Sequence, residues 1–491
     1  MRKDIRYTSL LNSEEDMTDS EEDPKEFKAT EYIPEKPSVL VTTVSIVSIA
    51  LTYIGCFVYL AFFNVVDPSD LVEGKVRINL TGVPVRNVSK FWSHYFTEDE
   101  GMFLNCSEFI KGNQNATDLY VNNGRMKLDK ERVFDLPMDC GSIRERVYGD
   151  MPPFKPLKRP IALVRTIYKM YELQEALFSM SYHPDNVFCY VMDSKSTDKL
   201  KKSMRVMSKC FKNVVVLEKE YNLTSGGHGQ DPAHFDCLER ILEKKWDHAV
   251  ILQNYDLIIK TPYQLSDLSE TLNYTSTMGS EYGFTYRYNF KADWTPAGMR
   301  LFKNATGVPH EILHKNLTVR KSLNEVMVSK IFVKSMFDKL NMTNILKLFD
   351  ENNYYGVDEM LMPTLYENFL GLEGQMESNC TKDRWDDMTR WTIFRWIGED
   401  GYDLKCKSKW KRHGVCIFGV EYLHDISKSQ SLIANKVMST FDFGTIICTR
   451  EMIKNNTTAP VPNAQKLQWF PQFREMQLKA AGTYDKTKFD C

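Results

Sequence analysis

The sequence predicts an α/β domain with a mostly parallel sheet flanked by helices, preceded by a single transmembrane helix and a stem. Three observations carry this reading. Strand-like and helix-like segments alternate from Pro160 to Lys260, an uncharged run covers 38–66, and ten of eleven cysteines lie beyond that run. Alternation of this kind implies βαβ units, since parallel strands need a crossover between them.

The elements follow in order. PIALVRTIYKM reads as an apolar strand, and residues 171–181 (YELQEALFSMS) have helical spacing. VFCYVMD is a buried strand ending at Asp193, followed by the polar helix STDKLKKSMRVMSKCF. NVVVLE gives a third strand, 232–246 a helix, and HAVILQNYDLIIK a fourth strand. Ligands bind at the carboxyl ends of such strands, where Asp193 and Asp256 stand.

The run from Ser38 to Val66 holds 29 residues without a charge. As a helix it reaches about 40 Å, enough to cross a bilayer with some tilt. A cleaved signal peptide would have an apolar core of only about 7–15 residues near the start, whereas 37 residues precede this run. Flanking lysines orient the span weakly. The Asn-x-Ser/Thr sites orient it better: Asn79, Asn87, Asn105, Asn115, Asn222, Asn273, Asn304, Asn316, Asn341, Asn379, Asn455 and Asn456 all follow it. The expectation is a Golgi-type single-pass type II membrane protein with its catalytic part in the lumen. Its segments are a cytosolic tail (1–37), a signal anchor (38–66), a stem (67–155), a catalytic domain (156–455) and a loose polar tail (456–491).

With 63 Lys+Arg against 65 Asp+Glu, the net charge of −2 gives no reason to expect nucleic-acid binding. Ten cysteines in an oxidising compartment can form up to five disulfides.

Three segments carry candidate chemistry. Asp193 can bind a ribose or base hydroxyl, or cap the following helix. Asp358-Glu359 sits among apolar residues in YYGVDEMLMPTL, where a carboxylate can act as a general base with a raised pKa, or start a helix. KCKSKWKRHG places five Lys/Arg and one His between Lys405 and His413, either a solvated loop or an anchor for a diphosphate. HExxH, a P-loop, GxSxG and D-x-D are all absent, so the carboxylate pair by which many sugar transferases hold a metal is missing.

Several segments together resemble the core-2/I-branching β-1,6-N-acetylglucosaminyltransferases, in a nematode-like form. NCSEFIKGN resembles the stem cysteine motif; PIALVRTIYKMYELQEAL and YHPDNVFCYVMDSKS resemble the opening of the catalytic domain. SKCFKNVVV, HFDCLERI, ILQNYDLIIKT, GVDEMLMPTL, GVCIFGVEYL and IANKVMSTFD follow in the family's order, over about 103–450. The resemblance implies a GT-A-like fold and an inverting transfer of GlcNAc from UDP-GlcNAc to a glycoprotein glycan, with no metal or other cofactor. It makes Glu359 the general base, Lys436 and Arg412 or His413 the cations for the diphosphate, Asp193 a uridine ligand and Trp396 a platform for the acceptor. It also implies disulfides Cys106–Cys448, Cys140–Cys210, Cys189–Cys237 and Cys406–Cys416. Cys380 and Cys491 are left over, paired with each other or across a homodimer.

The chain departs from the family in two places. ILQNYDLIIKT lacks the usual glycine-containing turn but keeps Asp256, and EYGFTYRYNFKADWTPAGMRLFKN does not follow the branching enzymes. Glu281, Arg287 and Arg300 in the latter are candidates for acceptor hydroxyls. The alternatives to GlcNAc transfer are a related transferase using another sugar nucleotide, such as UDP-xylose, and an inactive lumenal binding protein of the same fold.

Overall fold

Seven consecutive buried residues, Ile161–Ile167, form strand β1 at the centre of the main sheet. The structure, a computed structural model, describes residues 92–97, 99–128, 136–351, 354–378, 380, 388–394 and 406–491. The remaining strands are β2 (Val187–Met192), β3 (Val214–Val216), β4 (His248–Leu252), β5 (Leu257–Ile258), β6 (Glu281–Tyr282), β7 (Arg320–Lys321), β8 (Met327–Ser329), β9 (Arg390–Trp391), β10 (Lys411–Arg412), β11 (Val415–Cys416) and β12 (Ile433–Ala434). The main sheet runs β3-β2-β1-β4-β8, parallel except for β8, which lies antiparallel to β4. Helices Tyr171–Ser181, Asp198–Cys210 and Gln230–Ile241 supply the crossovers. The arrangement is a mixed α/β sheet flanked by helices, as a GT-A-like fold requires.

Local chemistry explains the elements. β1, β2 and β4 are buried along their whole lengths and mostly apolar, because both faces of a parallel sheet are covered. The helix Asp198–Cys210 buries Leu200, Met204, Met207 and Cys210 along one face. Its cap is Thr197, whose hydroxyl accepts from the Leu200 amide, so Asp193 does not serve as the N-cap.

The expected fourth strand is two. β4 stops at Leu252, the chain turns through Gln253-Asn254-Tyr255-Asp256, and β5 joins a separate sheet of order β5-β12-β9. Asp256 makes the break: its Oδ2 accepts from the Gln253 amide at 2.6 Å, closing the turn. A second ribbon, β6-β7, and the hairpin β10-β11 complete the strands.

The expected segmentation is corrected at both ends. The described residues between 92 and 148, expected as a stem with some helical packing, pack on the catalytic unit. Asp442, at a kink in the helix Ser439–Lys454, accepts from the Tyr120 hydroxyl at 2.8 Å, Arg125 Nη1 at 2.7 Å and the Val420 amide at 2.9 Å. Arg146 clamps the buried Glu175, with contacts of 2.6 and 2.9 Å. Residues 456–491 are not a loose tail either. The helix Pro471–Ala480 sends Glu475 to the amides of Glu377 and Ser378, and Gln472 to the Met278 carbonyl. Tertiary contacts give these segments structure that their own composition does not announce. Residues 88–491 form one compact unit.

Five disulfides tie this unit: Cys106–Cys448, Cys140–Cys210, Cys189–Cys237, Cys406–Cys416 and Cys380–Cys491. The last pair lies within one chain, so these cysteines are not available for a bridge between two copies. Nine of the twelve sequon asparagines are described, and all nine are exposed or half-buried. Asn79, Asn87, Asn379 and the expected span 38–66 lie outside the described residues; among those described, no helix is long and apolar enough to cross a membrane.

The bridge between the helices Cys106–Lys111 and Ser439–Lys454 closes 342 residues of sequence. Replacing both cysteines by serine is expected to lower the unfolding free energy by about 2–5 kcal/mol. Chemical denaturation monitored by circular dichroism measures the change; an unaltered midpoint would rule the bridge out as a stabilising element.

Candidate active site

The turn after β4 is the floor of the site. Asp256 is fully buried, and its Oδ1 accepts from Asn435 Nδ2 at 2.7 Å. Asn435 Oδ1 in turn accepts from Arg390 Nη2 at 2.6 Å, and Arg390 pairs with the buried Glu325. From beneath, Arg165 donates to the carbonyls of Gln253 and Asp256 at 2.6 and 3.0 Å. Burial raises the Glu325 carboxyl to about 8, against the opposing pull of Arg390.

The acidic turn is attached to this floor. Gln253 Nε2 donates to Asp358 Oδ2 at 3.0 Å, and Asn324 Nδ2 donates to the Asp358 carbonyl at 3.1 Å. Gly356 opens the turn with φ +71°, and a Cβ there would lie 2.5 Å from Arg287 Nη1. Only glycine both adopts that backbone and leaves the room. Glu359, the next carboxylate, is one-quarter exposed; its Oε2 accepts from Arg287 Nη1 at 2.7 Å and lies 3.4 Å from Lys321 Nζ. Lys321 also reaches Glu281 at 4.0 Å. The structure therefore brings Glu281, Arg287 and Glu359 together, with Lys321 as an additional member. Arg300 is exposed on a separate turn.

Of the two neighbouring carboxylates, Asp358 carries the perturbed titration. Burial, then repulsion from Glu359, raises it to about 7. Asp231 is raised by burial and by Asp358 and Asp350.

The cations gather on the other strands. Lys436 follows β12, and burial together with Arg390 and Arg412 lowers its ammonium to about 7. Arg412 on β10 lies 5.6 Å from the centre of the Tyr255 ring. His413 occupies the turn of the hairpin at φ +50° and is exposed. The hairpin thus presents Arg412 rather than His413 to Lys436. Lys407 pairs instead with Asp425, and Lys409 and Lys411 are exposed, so only Arg412 of the described basic segment joins the site. Lys405 and Trp396 lie outside the described residues.

Asp193 is buried at the end of β2, where its Oδ1 accepts from the Lys195 amide at 2.8 Å and pairs with Lys195 Nζ at 3.2 Å. Glu325, Arg390, Lys321 and Asn435 escaped sequence reasoning. They sit in TVRKSLNEV, TRWT and IANKV without a spacing that marks a site. Among the described residues, no group of three His, Cys, Asp or Glu side chains is placed to hold a metal ion.

Carboxylates and cations gathered around the turn that follows β4 can accept a proton and hold an anionic nucleotide, as a glycosyltransferase needs. Comparison with known proteins agrees. Residues 161–427 match the Core-2/I-Branching enzyme family. The chain is 23% identical over 370 residues to a rat β-1,3-galactosyl-O-glycosyl-glycoprotein β-1,6-N-acetylglucosaminyltransferase 3, covering 72% of this chain and 83% of the rat protein. It is 24% identical over 371 residues to the mouse protein of that name, with 72% and 83% coverage, and 23% over 372 residues to the human one, with the same coverage. The chain belongs to the core-2/I-branching family and is a glycosyltransferase.

The raised Asp358 predicts a pH dependence. Its folded pKa of about 7 lies above the unfolded aspartate value, so the folded state binds the extra proton between them. Stability from this group is complete below about pH 4 and is lost as pH rises towards 7. Asp358→Asn should flatten the fall in melting temperature between those limits relative to the wild type. Parallel curves for the two proteins would contradict the assignment.

Proposed function

We propose that this protein is a Golgi type II membrane enzyme that transfers GlcNAc from UDP-GlcNAc, in β-1,6 linkage, to a glycoprotein glycan. The reading deepens the family membership with the names of the relatives, the expected topology and one observation: Asp358 and Asn435, the chain neighbours of Glu359 and Lys436, both bond to the turn Gln253–Asp256.

The mechanism is a single inverting displacement without a metal. A hydroxyl of the acceptor gives its proton to Glu359 while its oxygen attacks the anomeric carbon of GlcNAc. The bond from that carbon to the diphosphate oxygen breaks, and UDP leaves carrying the electron pair. Arg287 and Lys321 hold the Glu359 carboxylate in place beside the acceptor. Lys436 and Arg412 stabilise the leaving diphosphate, which restores the charge that burial withdraws from Lys436. Asp193, at the end of β2, binds the uridine.

With purified full-length protein, UDP-GlcNAc and an array of glycans, transfer should persist in EDTA. Glu359→Gln should lower kcat by about 10²–10⁴-fold with UDP affinity retained. Equal turnover by mutant and wild type would remove Glu359 as the base. Lys436→Ala should weaken UDP binding and reduce kcat/KM by about 10²-fold, read by calorimetry and by initial rates. If only Glu359→Gln impairs the enzyme, the leaving group is stabilised elsewhere.

A further inference from the structure

The acidic turn is gripped from a second side, by the loop TSGGHG at 224–229 that leads into the helix Gln230–Ile241. The Gly226 carbonyl accepts from the Gly356 amide at 2.7 Å and from the Val357 amide at 3.2 Å. Gly227, at φ +92°, lies so close to the turn that a Cβ there would run into the Asp358 carboxylate. The segment is itself fixed at its start. Lys195, which pairs with Asp193, donates to the Leu223 carbonyl at 2.6 Å and to Asn222 Oδ1 at 2.7 Å.

His228 reaches from this loop to the chain that enters the turn. Its Nε2 lies 2.8 Å from the Tyr354 carbonyl oxygen. Its Nδ1 lies 3.1 Å from the Asp350 carbonyl oxygen and 3.2 Å from Asp350 Oδ1. Asp350 ends the helix Thr343–Asp350, and the same Oδ1 accepts from the Gly229 amide at 2.9 Å. The ring therefore spans from the end of a helix to a residue two positions before Gly356. Both of its nitrogens face oxygens that accept, and the ring makes both bonds when each nitrogen carries a proton. A side-chain amide in its place has its donors on one atom and cannot brace two sides.

We propose that His228 is a positioning residue for the transfer, bracing Tyr354 against Asp350 so that the turn Gly356–Glu359 presents Glu359 at a fixed place. The inference rests on the reading of Glu359 as the general base and adds the residue that sets where this base stands. Arg287 and Lys321 hold its carboxylate, but they do not hold the backbone from which it projects. That backbone starts at a glycine, the residue with the widest choice of conformations, so the chain on the entering side has to be pinned. Proton transfer needs the base within about 3 Å of the acceptor oxygen, and an error of about 1 Å costs as much as about 10²-fold in rate.

The test compares wild type, His228→Ala, His228→Gln, Glu359→Gln and the double variant His228→Ala/Glu359→Gln, all as full-length protein. Initial rates with UDP-GlcNAc and a glycan acceptor give kcat and KM, calorimetry gives UDP affinity, and circular dichroism confirms folding. His228→Ala should lower kcat about 10- to 100-fold while KM and UDP affinity stay within about twofold of wild type. His228→Gln, which keeps one of the two bonds, should fall between them, and it carries the same comparison if the alanine variant does not fold. Free imidazole should restore part of the lost kcat of His228→Ala and leave wild type unchanged. In the Glu359→Gln background the alanine should cause no further loss, because a residue that acts through the base then has nothing to act on. In a folded variant, unchanged kcat, a change confined to KM, no rescue by imidazole, or losses that multiply in the double variant overturn the brace and leave the transferase reading intact. Full turnover by Glu359→Gln overturns the general-base reading instead.

Discussion

The arrangement depends on one buried carboxylate. Asp256 lies where β4 leaves the main sheet, and its two oxygens are used in two directions, to the Gln253 amide and to Asn435. Through Gln253 it holds Asp358; through Asn435 it holds the segment carrying Lys436, backed by Arg390 and Glu325. Asp358 and Asn435 come from distant parts of the chain, yet share this support. A carboxylate so deeply buried is tolerated because each of its oxygens accepts a hydrogen bond. Removing one partner of such a buried set typically costs about 3–5 kcal/mol.

The support also divides labour between the paired acids. Asp358 is drawn into the network and loses its ionisation near neutrality, while Glu359 stays outward beside Arg287 and Lys321. The inner acid holds the turn through its hydrogen bonds, and the outer one, partly exposed, is the acid proposed above to meet an acceptor. Gly356 makes the division workable, since its left-handed backbone lets Arg287 approach closely.

The main sheet was legible in the sequence because strands covered on both faces are written as unbroken apolar runs, as in VFCYVM. Asp193, Asp256 and the Asp358-Glu359 pair were legible because polar residues end or interrupt such runs. The break between β4 and β5 was not, since HAVILQNYDLIIK reads as one strand unless the side chain of Asp256 is known to close a turn. Lys321, Glu325 and Arg390 were illegible for a related reason: their partners lie tens of residues away, and no local period records them. The helix Pro471–Ala480 belongs to the same category, held through Gln472 and Glu475 to distant backbone groups.

The spans of the disulfides impose an order on biosynthesis. Cys189–Cys237 and Cys140–Cys210 enclose 48 and 70 residues, and both can close while the chain is still emerging from the ribosome. Cys106 must wait for Cys448, 342 residues later. During that interval its unpaired thiol can attack an already formed bridge by exchange. Oxidative folding of this enzyme should therefore lean on a disulfide isomerase more heavily than five bridges of short span would require.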